Sequence, residues 1–243
     1  MFFKNFNKTL YKFGDNEASV LFQALNTYAD VIGDIPSDVT FYEKYTIPQG
    51  ERPDTLSYKL YGTIDYYWTF FLLNQKLREG GWPLDQNTLF ETAKTNYPYR
   101  MLTTATNIGN TNFKVGQVVS GSISGVGGKI KEVLLDLGQL VVDTGGPNNF
   151  NVGESVNVGE GGETQTLICS GDGPQYTAVH HYENADGEWV DIDPHTQSIP
   201  VSYSAVSYLD RLIKFNEDQS EIVVLNSKVV QEVVSQFESI IKG

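Results

Sequence analysis

The spacing of apolar residues switches between helical and strand periods along the chain, and the switches outline its organisation. Residues 1–40 show little regular pattern and read as an irregular arm. Within them Ser19-Val20-Leu21-Phe22-Gln23-Ala24-Leu25 predicts one short helix, and Asp34-Ile35-Pro36-Ser37 a turn. Thr40 to Ile47 is β-branched and aromatic, which predicts a strand stopped by Pro48-Gln49-Gly50. Three helices are expected next. The first opens near Pro53, whose missing N–H is harmless in a first turn, turns Leu56 and Leu60 inward, and closes at Gly62 in a left-handed cap. The second runs from about Ile64 to Asn74 and buries Ile64, Trp68, Phe71 and Leu72. The third has Asp85 as N-cap, Leu84 and Leu89 spaced as a hydrophobic staple, and an end before Pro98.

From about residue 104 to 175 Gly, Ser, Thr, Asn and Val dominate. Phe113-Lys114-Val115-Gly116-Gln117-Val118-Val119 is echoed by Phe150-Asn151-Val152-Gly153-Glu154-Ser155-Val156. Strand character recurs at Ile130 to Leu135, Gln139 to Val142 and Thr164 to Ile168, with Gly127-Gly128 and Gly145-Gly146 read as turns. A small antiparallel barrel or sandwich is the simplest expectation. Next come a hairpin, Tyr176 to Tyr182 and Glu188 to Ile192 about an Asp186-Gly187 turn, a helix from Tyr203 to Phe215 and a strand from Glu221 to Leu225. Lys228 to Ile241 predicts a last helix with Val229, Val230, Val233, Val234, Phe237, Ile240 and Ile241 on one stripe. The class is α+β in four parts: an arm (1–40), a strand-and-helix domain (41–103), an inserted β domain (104–175), and a hairpin with a docking helix (176–243).

Charge narrows the function. A net charge of −13 with no dense basic run argues against a protein built to neutralise nucleic-acid phosphates. The 14 Tyr, 13 Phe and 3 Trp suit either strands or surfaces that are wet before assembly and dry after it. Cys169 is the only cysteine, so no internal disulfide forms, and a small buried hydrophobe is its ordinary role. No secretion signal or membrane-length apolar run is apparent, which predicts synthesis in a cytosol.

Candidate chemistry is sparse. His180, His181 and His195 lie near Asp186, Glu188, Asp191 and Asp193, and a metal site or general base could be drawn from them. Their spacing matches no ligand motif, and a solvated turn beside a polar strand explains them as well. The glycines lie between strands with no Gly-Lys-Ser/Thr following, so they do not form a phosphate cradle. No serine stands in a nucleophile elbow. No catalytic residue, cofactor or metal is expected.

Residues 45–75 carry a resemblance. Tyr45-Thr46-Ile47, Gly50-Glu51-Arg52-Pro53-Asp54-Thr55-Leu56, Leu60-Tyr61-Gly62, Tyr66-Tyr67-Trp68 and Leu72-Leu73-Asn74 follow each other in an order that resembles a LysM module. More specifically they look like the LysM-type wedge subunit of contractile-phage baseplates, the gene-product-fifty-three family. Trp82-Pro83-Leu84, Tyr208-Leu209-Asp210, Asn216 and Phe237-Glu238-Ser239-Ile240-Ile241 also suit that family, whereas residues 104–175 match none of its common part.

The resemblance implies a virion protein of the tail baseplate that joins neighbouring wedges into a ring around the hub. Its partners would be other wedge proteins and the sheath-initiating inner baseplate, with six copies per baseplate and no nucleic acid or membrane contact. Tyr66, Tyr67, Trp68, Trp82, Phe237, Ile240 and Ile241 are the interface candidates. The alternatives are a glycan-binding LysM module, which needs an open groove between the turn after the first strand and the second helix, and an enzyme built on the 176–195 cluster.

Overall fold

The computed structural model describes residues 8–12, 14, 18–23, 41–105, 107–109, 111, 113–159, 164–192 and 198–242, without the side chains of 23 and 240–242. The chain forms two compact units, one of residues 1–86 with 216–243 and one of residues 87–215. It is a mixture of helix and strand with a closed six-stranded barrel.

In the first unit, β1 (Lys8–Tyr11) and β2 (Val20–Gln23) pair antiparallel, Leu10 opposite Leu21. The helix expected over residues 19–25 is therefore a strand at Val20–Gln23. Val20 and Phe22 favour the pleated state once Lys8–Tyr11 supplies a ladder, and pairing overrides the local helical spacing. The turn expected at 34–37 lies outside the described residues.

β3 (Tyr42–Thr46) leads through the turn at Pro48 to α1 (Pro53–Tyr61). Proline stands in the first turn of α1, and Gly62 ends it with φ +73°, its N–H donating to Tyr58 O. A 3-10 turn at Ile64–Tyr66 precedes α2 (Trp68–Leu73), which is followed by α3 (Gln75–Gly80), and α4 begins at Gln86 directly after Asp85 (Gln86–Asn96).

The second expected helix thus corrects to a 3-10 turn and one short helix, α2, with α3 lying beyond its expected end. The 3-10 turn has fewer residues per turn than an α-helix, so the buried face shifts phase. Phe70, Trp68 and Leu72 are buried, and Ile64 is exposed.

The strand that pairs with β3 is β13 (Glu221–Leu225), Ile222 opposite Tyr45. It leads to α6 (Val230–Lys242). Ile47, Leu56, Phe70, Leu77, Ile222 and Val224 form one core here, and Trp68, Leu72, Leu225, Val230, Val233, Val234 and Phe237 a second. Covering Leu56 and Phe70 contributes about 1.5–3 kcal/mol each.

The second unit contains the barrel, in the order β4 (Arg100–Thr104), β7 (Gln139–Asp143), β6 (Gly127–Leu134), β5 (Val118–Gly121), β8 (Ser155–Val158), β9 (Gln165–Pro174), closing on β4. All six pairings are antiparallel.

The sequence repeat is a repeat of bonding. Gly116 and Gly153 hold φ of +91° and +90°. Their N–H groups donate to Ile130 O at 2.8 Å and to Cys169 O at 2.7 Å. Lys114 N–H donates to Gln117 Oε1 at 2.8 Å, as Asn151 N–H does to Glu154 Oε1 at 2.7 Å. The strands that follow the two turns, β5 and β8, pair with each other, so the barrel contains two copies of one turn-and-strand unit.

Two glycine readings diverge. Gly145 is in a turn, with φ +67°. Gly127-Gly128, read as a turn, instead starts β6. A Cβ on Gly128 would lie 2.7 Å from Asp143 O and from a Val142 methyl, so close approach to β7 requires glycine there.

Leu102, Ile130, Leu140, Val142, Val156 and Leu167 fill the barrel. Met101 and Val141 point outward and are buried with Tyr208, which explains why Gln139 to Val142 is buried on both faces.

Three further strands order β11 (Trp189–Val190), β10 (Val179–Asn184), β12 (Tyr203–Ser207), with Gly187 in the hairpin turn at φ +80°. The helix expected from Tyr203 starts only at Tyr208, as α5 (Tyr208–Ser220); its first five residues are strand. The boundary is a capping box: Asp210 N–H donates to Ser207 Oγ at 3.0 Å, and Ser207 N–H to Asp210 Oδ2 at 3.0 Å.

Candidate interface site

The aromatic candidates of the first unit converge, but inward. Trp68 and Phe237 are both buried, and their ring centroids lie 4.6 Å apart. They cement α2 to α6 and are not available on the surface of the isolated chain. Tyr66 and Tyr67 are partly buried against the same cluster. Trp82 is partly buried, with its ring 5.9 Å from Phe70 and 5.8 Å from Phe71, and its Nε1–H donates to Glu51 O at 2.7 Å. Ile240 and Ile241 lie on α6, and their side chains are outside the described residues.

Asn74 is the residue whose weight spacing could not show. It is buried at the junction of α2 and α3, where its Nδ2 donates to Phe70 O at 2.7 Å and to Val223 O at 2.8 Å. Its Oδ1 accepts from Val223 N–H at 2.8 Å. A carboxamide offers a donor and an acceptor side by side, as a backbone does, so Asn74 closes one edge of β13 as a third strand would. The signal in the sequence was only a polar residue directly after an apolar helix.

The histidine cluster forms a relay. Arg211 lies 3.2 Å from His180 Nε2, and His180 Nδ1 lies 2.9 Å from His181 Nδ1. A guanidinium only donates, so His180 carries its proton on Nδ1 and gives it to His181 Nδ1. His181 Nε2 faces Glu183 Oε2 at 3.6 Å.

Glu183 also pairs with Lys214, which holds its carboxyl below the usual range. Burial, with Arg211 and His181 nearby, pushes the His180 pKa down. His181 stacks on Trp189 at 3.9 Å, and Arg211 lies over the same indole. This network ties β10, β11 and α5 together. Asp193 and His195 lie outside the described residues, and no group of three or more metal-ligating side chains occurs among those described.

Two further polar groups are structural. Glu154 is buried and accepts from the N–H groups of Ile123, Ser124 and Asn151 and from Ser124 Oγ, all within 2.7–2.8 Å. Burial alone would raise its pKa, but these four donors outweigh it and bring it down to about 2. Arg100 and Asp172 pair at 2.5 Å across β4 and β9, and Asp172 also accepts from Phe150 N–H. Cys169 lies in the barrel core, where burial pushes its thiol up to about 11 and removes the reactive thiolate at neutral pH.

Asn74, Glu154, Arg100 and Asp172 and the His180–His181 pair hold strands and helices together. Comparison with known families speaks to function. Residues 1–109 match the model of the family described as Base plate wedge protein 53, so that part of the chain is similar to the baseplate wedge subunits of phages. The match supports a structural role in a phage baseplate, in association with other baseplate components. The match covers β1 to β4, and the remaining residues stand outside it. No curated protein matches the chain in sequence. No helix among the described residues is long and apolar enough to cross a membrane.

Proposed function

We propose that this chain is a non-enzymatic wedge subunit that joins neighbouring wedges of a contractile tail into the ring around the hub. The observation that carries this reading is the family match over residues 1–109. That region contains β3, α1 and α2, which with β13 give a strand, helix, helix, strand order that a LysM-like unit requires. In this reading residues 1–40 are an arm, 41–103 the LysM-like wedge domain, 104–175 an inserted β domain, and 176–243 the hairpin and last helix. The partners are other wedge proteins and the sheath-initiating inner baseplate, in six copies.

Tyr66, Tyr67 and Trp82 are the candidates that keep exposed area in the isolated chain, so they serve the interface more readily than Trp68 or Phe237. Partly exposed aromatics of this kind anchor interfaces because they add large contact area at small entropic cost.

Co-expression with the other wedge proteins of the same phage tests the proposal. A stoichiometric complex that survives gel filtration is expected. Failure to form one, together with retention of the chain on peptidoglycan, would replace the wedge reading with glycan binding.

A further inference from the structure

β10 carries an extra residue. Val179 stands opposite Ser207 and His181 opposite Val206, so His180 is bulged out of the ladder between them. Neighbouring side chains of a regular strand point to opposite faces, and a bulge re-aims one of them. Here it brings two imidazoles together, with His180 Nδ1 2.9 Å from His181 Nδ1 and the rings at 88°. On its far side His180 Nε2 meets Arg211 of α5 at 3.2 Å. Arg211 also lies over the indole of Trp189 on β11, and His181 stacks on the same indole. The pair thus stands where α5 meets the β10–β11 hairpin.

Two neutral imidazoles hold two protons on four ring nitrogens. The Nδ1–Nδ1 bond needs one bare nitrogen, and Arg211, which only donates, needs His180 Nε2 bare. Neutral rings satisfy both. One further proton leaves a single bare nitrogen for two donors, so one contact is lost. An imidazolium repels the guanidinium beside it, which makes Arg211 the contact that breaks.

The surrounding groups set when this happens. Arg211 opposes a positive charge on His180, as does burial, and Asp191 after β11 favours one. Glu183 on β10 faces His181 Nε2 at 3.6 Å but is paired with Lys214 of α5. Tyr208 of α5 meets the His180 ring edge to face at 4.7 Å and stays a neutral phenol, since burial raises its pKa. β12 carries no charged side chain.

We propose that the His180–His181 pair is an acid-sensitive latch: one added proton expels Arg211 and frees α5 from the β10–β11 hairpin, while the barrel stays closed.

Hydrogen exchange of the full chain, read by mass spectrometry, tests it, because local opening exposes amides without global unfolding. Exchange corrected for the intrinsic effect of pH should speed at least about tenfold in residues 179–190 and 208–214 between about pH 7.5 and about pH 4.5, a window that spans histidine titration. Residues 118–143 of the barrel should keep their protection throughout, because the Glu154 carboxyl, with a pKa of about 2, stays ionised. His180→Gln has no proton to gain and should exchange slowly at both ends of the window. Arg211→Ala, at an exposed position, should show the faster exchange already at the upper pH. Exchange in the native chain that does not speed with acid overturns the proposal, as does acceleration that spreads equally to the barrel. So does acceleration that persists in His180→Gln, or an Arg211→Ala chain as protected as the native one.

Discussion

Asn74 grips both backbone polar groups of Val223, donating to its carbonyl and accepting from its N–H, each at 2.8 Å. The two residues are 149 positions apart, so this side chain helps hold β13 in the first unit after the chain has completed the barrel. Asn74→Ala leaves the N–H and C=O of Val223 without their partner, at about 1–3 kcal/mol each, whereas Phe70 O keeps the Asn74 backbone N–H. Asn74→Asp keeps the acceptor and removes the donors. Both variants should lower the denaturation midpoint of the first unit, Asp no less than Ala at neutral pH. A midpoint unchanged in Asn74→Ala would show that water replaces the amide.

Phe237→Ala removes a ring that fills the space beside Trp68. The expected cost is about 3–5 kcal/mol, typical of a large aromatic lost from a core. Urea denaturation measures it. Full stability with loss of wedge binding would instead make Phe237 an interface anchor.

Glu154 links barrel stability to acid. Its folded pKa of about 2 lies below that of an unfolded carboxylate, so its contribution is complete above about pH 4.5 and disappears as pH falls toward 2. Glu154→Gln cannot accept from the same set of N–H groups and should destabilise the barrel by about 2 kcal/mol or more at pH 7, with a smaller acid dependence than the native chain. Calorimetric melting between pH 2 and 7 separates the two profiles.

The His180–His181 relay has the same sign over a different window. The folded pKa of His180 is depressed, so its contribution is present above the ordinary histidine value of about 6.5 and is lost as pH falls from there through the folded pKa. Protonated His180 could no longer accept from Arg211. Imidazole NMR should show His180 titrating below 6.5, and Arg211→Gln should bring it back toward the ordinary value. An unshifted His180 would remove the relay.

Cys169 should resist iodoacetamide at pH 8 in the folded chain and react in denaturant, because burial keeps it as the thiol. Mass spectrometry reads the adduct. Ready labelling of the native chain would mean the barrel opens locally.

Where elements follow from neighbours in the chain, the sequence was sufficient. Pro53 and Gly62 bracket α1, Asp85 precedes α4, and Asp186-Gly187 turns the hairpin, each through backbone chemistry complete within a few residues. The echo of Phe113–Val119 in Phe150–Val156 likewise pointed to the barrel, because the same turn needs the same glycine and the same side-chain acceptor.

Tertiary structure decided the rest. Val20–Gln23 is a strand because Lys8–Tyr11 lies beside it, and Tyr203–Ser207 is a strand because β10 does, although both stretches also suit a helix. Most of all, an amphipathic stripe such as that of α6 is identical on paper whether it meets a partner or its own chain. Only the folded position of Trp68 shows that Phe237 is covered from within, since burial belongs to whatever lies opposite in space and not to the stripe itself.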